Sequence, residues 1–117
     1  MRPEEPDVCY LTTSGRHTGR PHRIEIWFAL HDGVAYVLSG GGDRSDWVRN
    51  LIVSPAVTLE IGDRKRPSRA GVVTLPEEDA LARRLLVEKY EARGERDLSE
   101  WGATALPVAI AWPDSAG

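Results

Sequence analysis

Arg23-Ile24-Glu25-Ile26-Trp27-Phe28-Ala29-Leu30-His31-Asp32-Gly33-Val34-Ala35-Tyr36-Val37-Leu38-Ser39 is the stretch on which the fold class turns. Ile24, Ile26 and Phe28 alternate with Arg23, Glu25 and Trp27, the period of a half-buried strand over Arg23 to Leu30. Asp32-Gly33 supplies a two-residue hairpin turn into a second strand over Val34 to Ser39. Upstream, Val8 to Thr13 is apolar with Thr and Tyr, which predicts a buried strand and a three-strand meander. Downstream, Ser45 or Asp46 caps a short helix that runs through Val53 and is stopped by Pro55. Val57 to Ile61 is a further strand, Gly62-Asp63 turns it into the basic run Arg64 to Arg69, and a strand follows around Gly71 to Leu75. Pro76-Glu77-Glu78-Asp79 opens a helix with proline and acids in its first turn, and Leu81, Leu85, Leu86 and Tyr90 form its apolar face as far as Gly94. A turn of helix near Leu98 to Gly102 and a strand over Leu106 to Trp112 end the chain. Hairpins with interposed helices, rather than regular βαβ units, predict a mainly β (α+β) single domain over residues 1–117: a small antiparallel barrel with two or three covering helices.

Composition narrows the function. The 117 residues suffice for one core and are too few for a two-domain dehydrogenase. With 18 acidic and 15 basic residues the net charge is −3, so nucleic acid is not an expected partner. The excess of acids over bases lies in the C-terminal part, and the mildly basic part before residue 70 carries both candidate anion sites. The lone Cys9 excludes an intramolecular disulfide and fits a reducing, cytoplasmic setting. No apolar run approaches membrane-spanning length, and the acidic, proline-punctuated residues 1–7 read as a flexible N-terminus.

Two segments carry the chemistry. Gly15-Arg16-His17-Thr18-Gly19-Arg20-Pro21 is a basic turn that reads either as a solvated hairpin end or as a place where Arg16, Arg20 and Arg23 can converge on a phosphate or carboxylates, with His17 and His22 as further donors. Gly40-Gly41-Gly42-Asp43-Arg44-Ser45-Asp46-Trp47 reads either as a flexible loop or as a glycine loop entering a helix whose free N–H groups point where an anion would sit. Trp47 either stacks on a planar ring or pins the helix to the barrel. The G-x-G-x-x-G spacing, the Lys-Ser/Thr ending of a Walker loop, the G-x-S-x-G elbow and zinc-ligand spacing of histidines are all missing, so no metal is expected. The run Arg64-Lys65-Arg66-Pro67-Ser68-Arg69 reads as a solvated edge rather than a nucleic-acid tag.

Leu11-Thr12-Thr13-Ser14-Gly15-Arg16-His17-Thr18-Gly19-Arg20-Pro21, Ser39-Gly40-Gly41-Gly42, Asp46-Trp47-Val48-Arg49-Asn50-Leu51 and Ser54-Pro55-Ala56-Val57 together resemble the deazaflavin-dependent nitroreductase family within the flavin/deazaflavin oxidoreductases. The resemblance runs from Val8 to Trp112. It implies a split β-barrel of the FMN-binding type and the cofactor F(420), an 8-hydroxy-5-deazaflavin with a phosphate and an oligoglutamate tail. It implies that Arg16, His17 and Thr18 meet the phosphate or tail with His22 and Arg23 beside them, and that Ile24, Glu25, Ile26 and Trp27 line the path to the ring. Val37, Leu38, Ser39 and Gly40 would flank the deazaflavin, and Asp46, Trp47, Val48, Arg49 and Asn50 would close the site.

The implied reaction is hydride transfer from the reduced coenzyme to a small-molecule electron acceptor, a quinone, enone or nitro compound, with Ser39 as a hydrogen-bond donor to ring or substrate. Where members of that family carry a lysine this chain has Gly40, so the counter-charge comes from Arg44 or is missing, and the tyrosines walling their acceptor pocket have no clear match near Tyr90 to Trp101. A non-catalytic F(420) carrier and an FMN-binding barrel are the alternative readings. Monomer and homodimer are both compatible with the sequence.

Overall fold

The computed structural model describes residues 5–113. Seven strands, β1 (Cys9–Ser14), β2 (Pro21–Ile26), β3 (Ala29–His31), β4 (Val34–Ser39), β5 (Ala56–Ile61), β6 (Arg64–Val72) and β7 (Leu106–Ala111), form one curled antiparallel sheet. Three helices, α1 (Asp46–Val53), α2 (Pro76–Ala92) and α3 (Ser99–Thr104), accompany it, with a 3-10 turn at Gly42–Arg44 before α1. The order β2-β1-β5-β6-β7-β4-β3 places the chain neighbours β2 and β3 at opposite edges of the sheet, so the two residues between them join the barrel's two halves. This is a split β-barrel, mainly β with three helices.

The expected three-strand meander is therefore replaced by two hairpins, β1–β2 and β3–β4, on opposite halves. The reason lies at Phe28. Its backbone N–H donates to the Tyr90 hydroxyl (2.9 Å), and its carbonyl accepts from Lys89 Nζ (2.7 Å). The Tyr90 hydroxyl also lies within donating distance of Phe28 O (3.0 Å) and Asp7 O (2.7 Å). Helix α2 thus satisfies the backbone groups that a continuous strand would have given to a ladder, and the strand changes sheet there. In the β3–β4 hairpin, Asp32 and Gly33 stand at φ 50° and 77°, the positive values that a primed two-residue turn needs.

The basic run was expected as a turn and edge followed by a strand at Gly71 to Leu75, but Arg64–Val72 is one nine-residue strand in the middle of the sheet order. Its first part pairs with β5 alone and only Ala70 to Val72 pair with β7, so Pro67 costs no shared ladder. On the open side, Ser68 Oγ donates to Ala111 O, while the Arg66 guanidinium donates to Pro113 O (2.9 Å) and lies over the Trp112 ring.

Cys9, Leu11, Phe28, Val37, Leu59, Val108 and Ile110 are fully buried inside the barrel, where Val48 and Leu51 of α1 plug one opening. A second cluster forms where Ala82, Leu86 and Tyr90, spaced at i, i+4 and i+8 on α2, pack on Ala29, Tyr36, Leu38 and Val73. The apolar face of α2 is rotated slightly from the expected one, leaving Leu81 and Leu85 half-buried. Residues 1–4 of the N-terminus expected to be flexible lie outside the described residues. Glu5 to Asp7 are tied to α2: Glu5 pairs with Lys89 (2.7 Å), Pro6 O accepts from Lys89, and Asp7 pairs with Arg93 (2.5 Å).

Tyr90→Phe strands the buried Phe28 N–H and is expected to cost about 1–3 kcal/mol in urea unfolding. Burial drives the Cys9 thiol and the Tyr36 phenol each up to about 12, with Glu78 helping at Tyr36, and it raises Tyr90 as well. All three therefore ionise more readily in the unfolded chain. Their contribution is complete below the ordinary thiol value of 9.0 and is lost as pH climbs from there toward about 12, so the urea midpoint is expected to fall through that window. Lys89, lowered chiefly by burial, opposes this trend as a single group.

Candidate functional site

The β1–β2 turn is closed by Gly15 N–H to Arg20 O (2.8 Å) and Gly19 N–H to Gly15 O (2.7 Å). A side chain at position 15 would be impossible without displacement, since its Cβ would lie 2.8 Å from His22 Nε2 and 3.2 Å from Arg20 O. Glycine there lets the His22 imidazole fold back over the turn. The turn is then fastened to α1 through Asn50, buried at 3% exposure. Asn50 Oδ1 accepts from the Arg16 N–H (3.1 Å) and from Arg16 Nη1 (2.9 Å), while Nδ2 donates to Thr13 Oγ1 (3.1 Å). Arg16 Nη2 completes the junction as an ion pair with Asp46 (3.1 Å).

Between turn and helix lies a cavity of about 630 Å³. It collects Arg16, His17, Thr18, His22, Arg23 and Ile24 from the turn and β2, and Asp46, Trp47 and Asn50 from α1, together with Gly15 and Arg20. Nine residues singled out by resemblance thus meet at one place. The arginines differ in availability. Arg16 is held by Asp46 and Asn50. Arg23 pairs with Glu60 (3.0 Å) and lies over the Tyr10 ring (4.0 Å), and the Glu60 contact raises its pKa and lowers that of Glu60. Arg20 is exposed and has no carboxylate partner among the described residues, and its guanidinium lines the cavity with His17 and His22.

Further along β2, Glu25, Ile26, Trp27 and Leu38 line a second cavity of about 450 Å³ with Val8, Leu98 and Trp101. Trp27 stacks on Tyr90 with centroids 4.2 Å apart and 7° between planes, and meets Trp101 edge-on at 5.5 Å and 85°. The two cavities are consecutive on one strand, with Ile24 in the first and Ile26 in the second, about 7 Å apart. Trp101 and Leu98 have no motif to reveal them; the only sequence sign was an aromatic in a short helical turn.

The remaining expected residues are placed elsewhere. Val37 and Val48 stand fully buried in the barrel core and line neither of these two cavities; β4 turns Val37 inward and Leu38 toward α2. Ser39 is 2% exposed, and its hydroxyl donates to Gly42 O (2.8 Å) or shares a 2.8 Å bond with Ser45 Oγ. The structure gives it the task of holding the glycine loop. Ser45 occupies the cap position of α1 but makes no side-chain cap bond, since its hydroxyl is engaged with Ser39. Gly40 and Arg44 line a shallow third cavity with Thr104, and Arg49 Nε donates to Asp43 O (3.3 Å), away from the turn.

Fold and geometry together define a split-barrel protein with a basic turn braced on a helix and an aromatic pocket beside it. Residues 2–113 match the family described as F420H(2)-dependent quinone reductase, and the chain belongs to that family. Among solved structures, a protein titled F420-H2 dependent reductase (FDR-A) is 23% identical with a TM-score of 0.63, covering 90% of this chain and 93% of its own. A protein described as a domain-swapped dimer is 22% identical, TM-score 0.72, over 92% of this chain and 81% of its own. A FAD-binding protein from Mesorhizobium loti is 18% identical, TM-score 0.62, over 93% and 83%. These likenesses show the fold. No helix among the described residues is long and apolar enough to cross a membrane.

Asn50→Ala removes three hydrogen bonds in one buried position. It is expected to lower stability by about 2–4 kcal/mol in chemical denaturation and to raise amide exchange in the turn from Gly15 to Arg20.

Proposed function

We propose that the protein is an oxidoreductase that uses reduced coenzyme F(420) to reduce a planar, electron-poor small molecule of the quinone, enone or nitro class. The observation that carries this reading is the succession of two unlike cavities on β2, one cationic and one aromatic. An acidic coenzyme with a flat ring and an uncharged flat acceptor are the pair of ligands that such a surface suits.

The donor set fits the coenzyme. Arg20, His17 and His22 would hold the phosphate and acidic tail, with the Thr18 hydroxyl beside them, and Arg16 would keep the turn in position from its anchorage on α1. Ile24 and the half-buried Trp47 offer apolar surface for the ring. When bound, the coenzyme supplies a hydride, that is, two electrons and a proton in one transfer. The chain's own residues need to orient the two rings and exclude water, and Trp27 and Trp101 with Leu38 present a wall that does both. Ser39, engaged inside the loop, acts by keeping Gly40 to Gly42 in shape.

Titration with oxidised F(420) and with FMN, followed by tryptophan fluorescence, tests the reading. Selective, saturable quenching by F(420) is expected, and quenching by FMN alone would move the protein to flavin chemistry. Arg20→Ala is expected to weaken F(420) binding about tenfold at low salt while leaving the urea midpoint unchanged. Binding without reduction of any acceptor in a panel of quinones, enones and nitro compounds would leave a non-catalytic F(420) carrier.

A further inference from the structure

The aromatic pocket carries a charge opposite to that of the turn next to it. Trp27, Trp101, Leu38, Leu98 and Val8 make an apolar slot whose walls match a flat ring. Among the described residues lining it, Glu25 is the one charged group, and it is exposed. Its Oε1 accepts from the Tyr10 hydroxyl at 3.2 Å, which orients the carboxylate without neutralising it. The cations close by along the chain are committed elsewhere. Arg23 pairs with Glu60, and Lys89, which lies over Phe28, pairs with Glu5. Arg23 attracts Glu25 as well, at longer range than an ion pair, which tempers the negative charge there without removing it.

We infer that Glu25 is a specificity-determining residue: it makes this pocket accept uncharged or cationic planar rings and turn away anionic ones. The inference rests on the acceptor reading above and narrows the acceptor to flat compounds without a negative substituent. It also gives β2 a sorting role. The anionic part of one ligand is repelled from the Glu25 end and attracted to the Arg20 end, so the two ligands do not exchange places. A negative substituent about 5–6 Å from a solvated carboxylate is disfavoured by about fivefold, and added salt shrinks the effect.

The test uses the full chain without coenzyme. A neutral naphthoquinone, its sulfonated analogue and a flat quinolinium cation are titrated at low salt while tryptophan fluorescence is followed. Trp27 stands in the same pocket, so only quenching whose apparent affinity is unchanged in Trp101→Ala is assigned outside it and subtracted; Trp101→Phe, which keeps a ring, should retain the neutral probe within about threefold. The expected result is binding of the neutral and cationic probes at least about fivefold tighter than the sulfonate. Glu25→Gln should bring the sulfonate to within about twofold of the neutral probe, whose affinity stays unchanged. Equal binding of sulfonate and neutral probe in the native chain, discrimination that persists in Glu25→Gln, or no quenching assignable to Trp101 would each overturn the inference. Discrimination without F(420) binding would count against the coenzyme reading alone, and F(420) binding without discrimination would count against Glu25 alone.

Discussion

Capture of the Phe28 backbone by Lys89 and Tyr90 is the interaction on which the remaining architecture depends. A strand that ran unbroken from Pro21 to His31 would belong to one half of the sheet. By taking both polar groups of Phe28, α2 interrupts the ladder and lets the chain pass to the other half. The same two side chains hold Pro6 and Asp7, so the segment before β1 is laid along α2 and brings Val8 to the aromatic pocket. Tyr90 also offers its ring to Trp27. One helical turn thereby closes the barrel, seats the N-terminal segment and orients a pocket wall.

Asn50 performs the corresponding task at the basic turn. A loop with two glycines and several like charges has little reason to hold one shape in isolation. Three hydrogen bonds from a single buried amide tie it to α1 and β1. The cost of burying the amide is met because its oxygen and nitrogen both find partners, and no buried side-chain polar atom among the described residues lacks one. On the proposed reading this rigidity serves binding, since donors already arranged would take an anion without first being ordered.

Much of this was legible along the chain, and what was not has a physical cause. The Asp32-Gly33 turn, the acidic start of α2 after Leu75 and the stop at Pro55 each follow from residues adjacent in sequence, and they lie where the local rules put them. The break at Trp27-Phe28 was invisible because alternation continues through it; the partner that breaks it is 62 residues away. The run from Arg64 to Arg69 hid the start of the strand that joins the two halves, since its side chains are mostly exposed and give no hydrophobic signal, and the pairing with β7 begins only at Ala70.

For the site, chemistry-bearing residue types were readable and their availability was not. Arginines at 16, 20 and 23 look alike in sequence, and only the positions of Asp46, Asn50 and Glu60 separate two braced guanidinium groups from one presented to the cavity. Ser39 likewise looks available until the glycine loop folds over it. Sequence by itself determined strand and turn chemistry, the basic and glycine-rich segments and the family resemblance, because these depend on neighbours within a few residues. The tertiary structure alone decided where the strand divides, which of the three arginines lacks a carboxylate partner among the described residues and that Trp101 meets Trp27, because those outcomes depend on contacts between residues far apart along the chain.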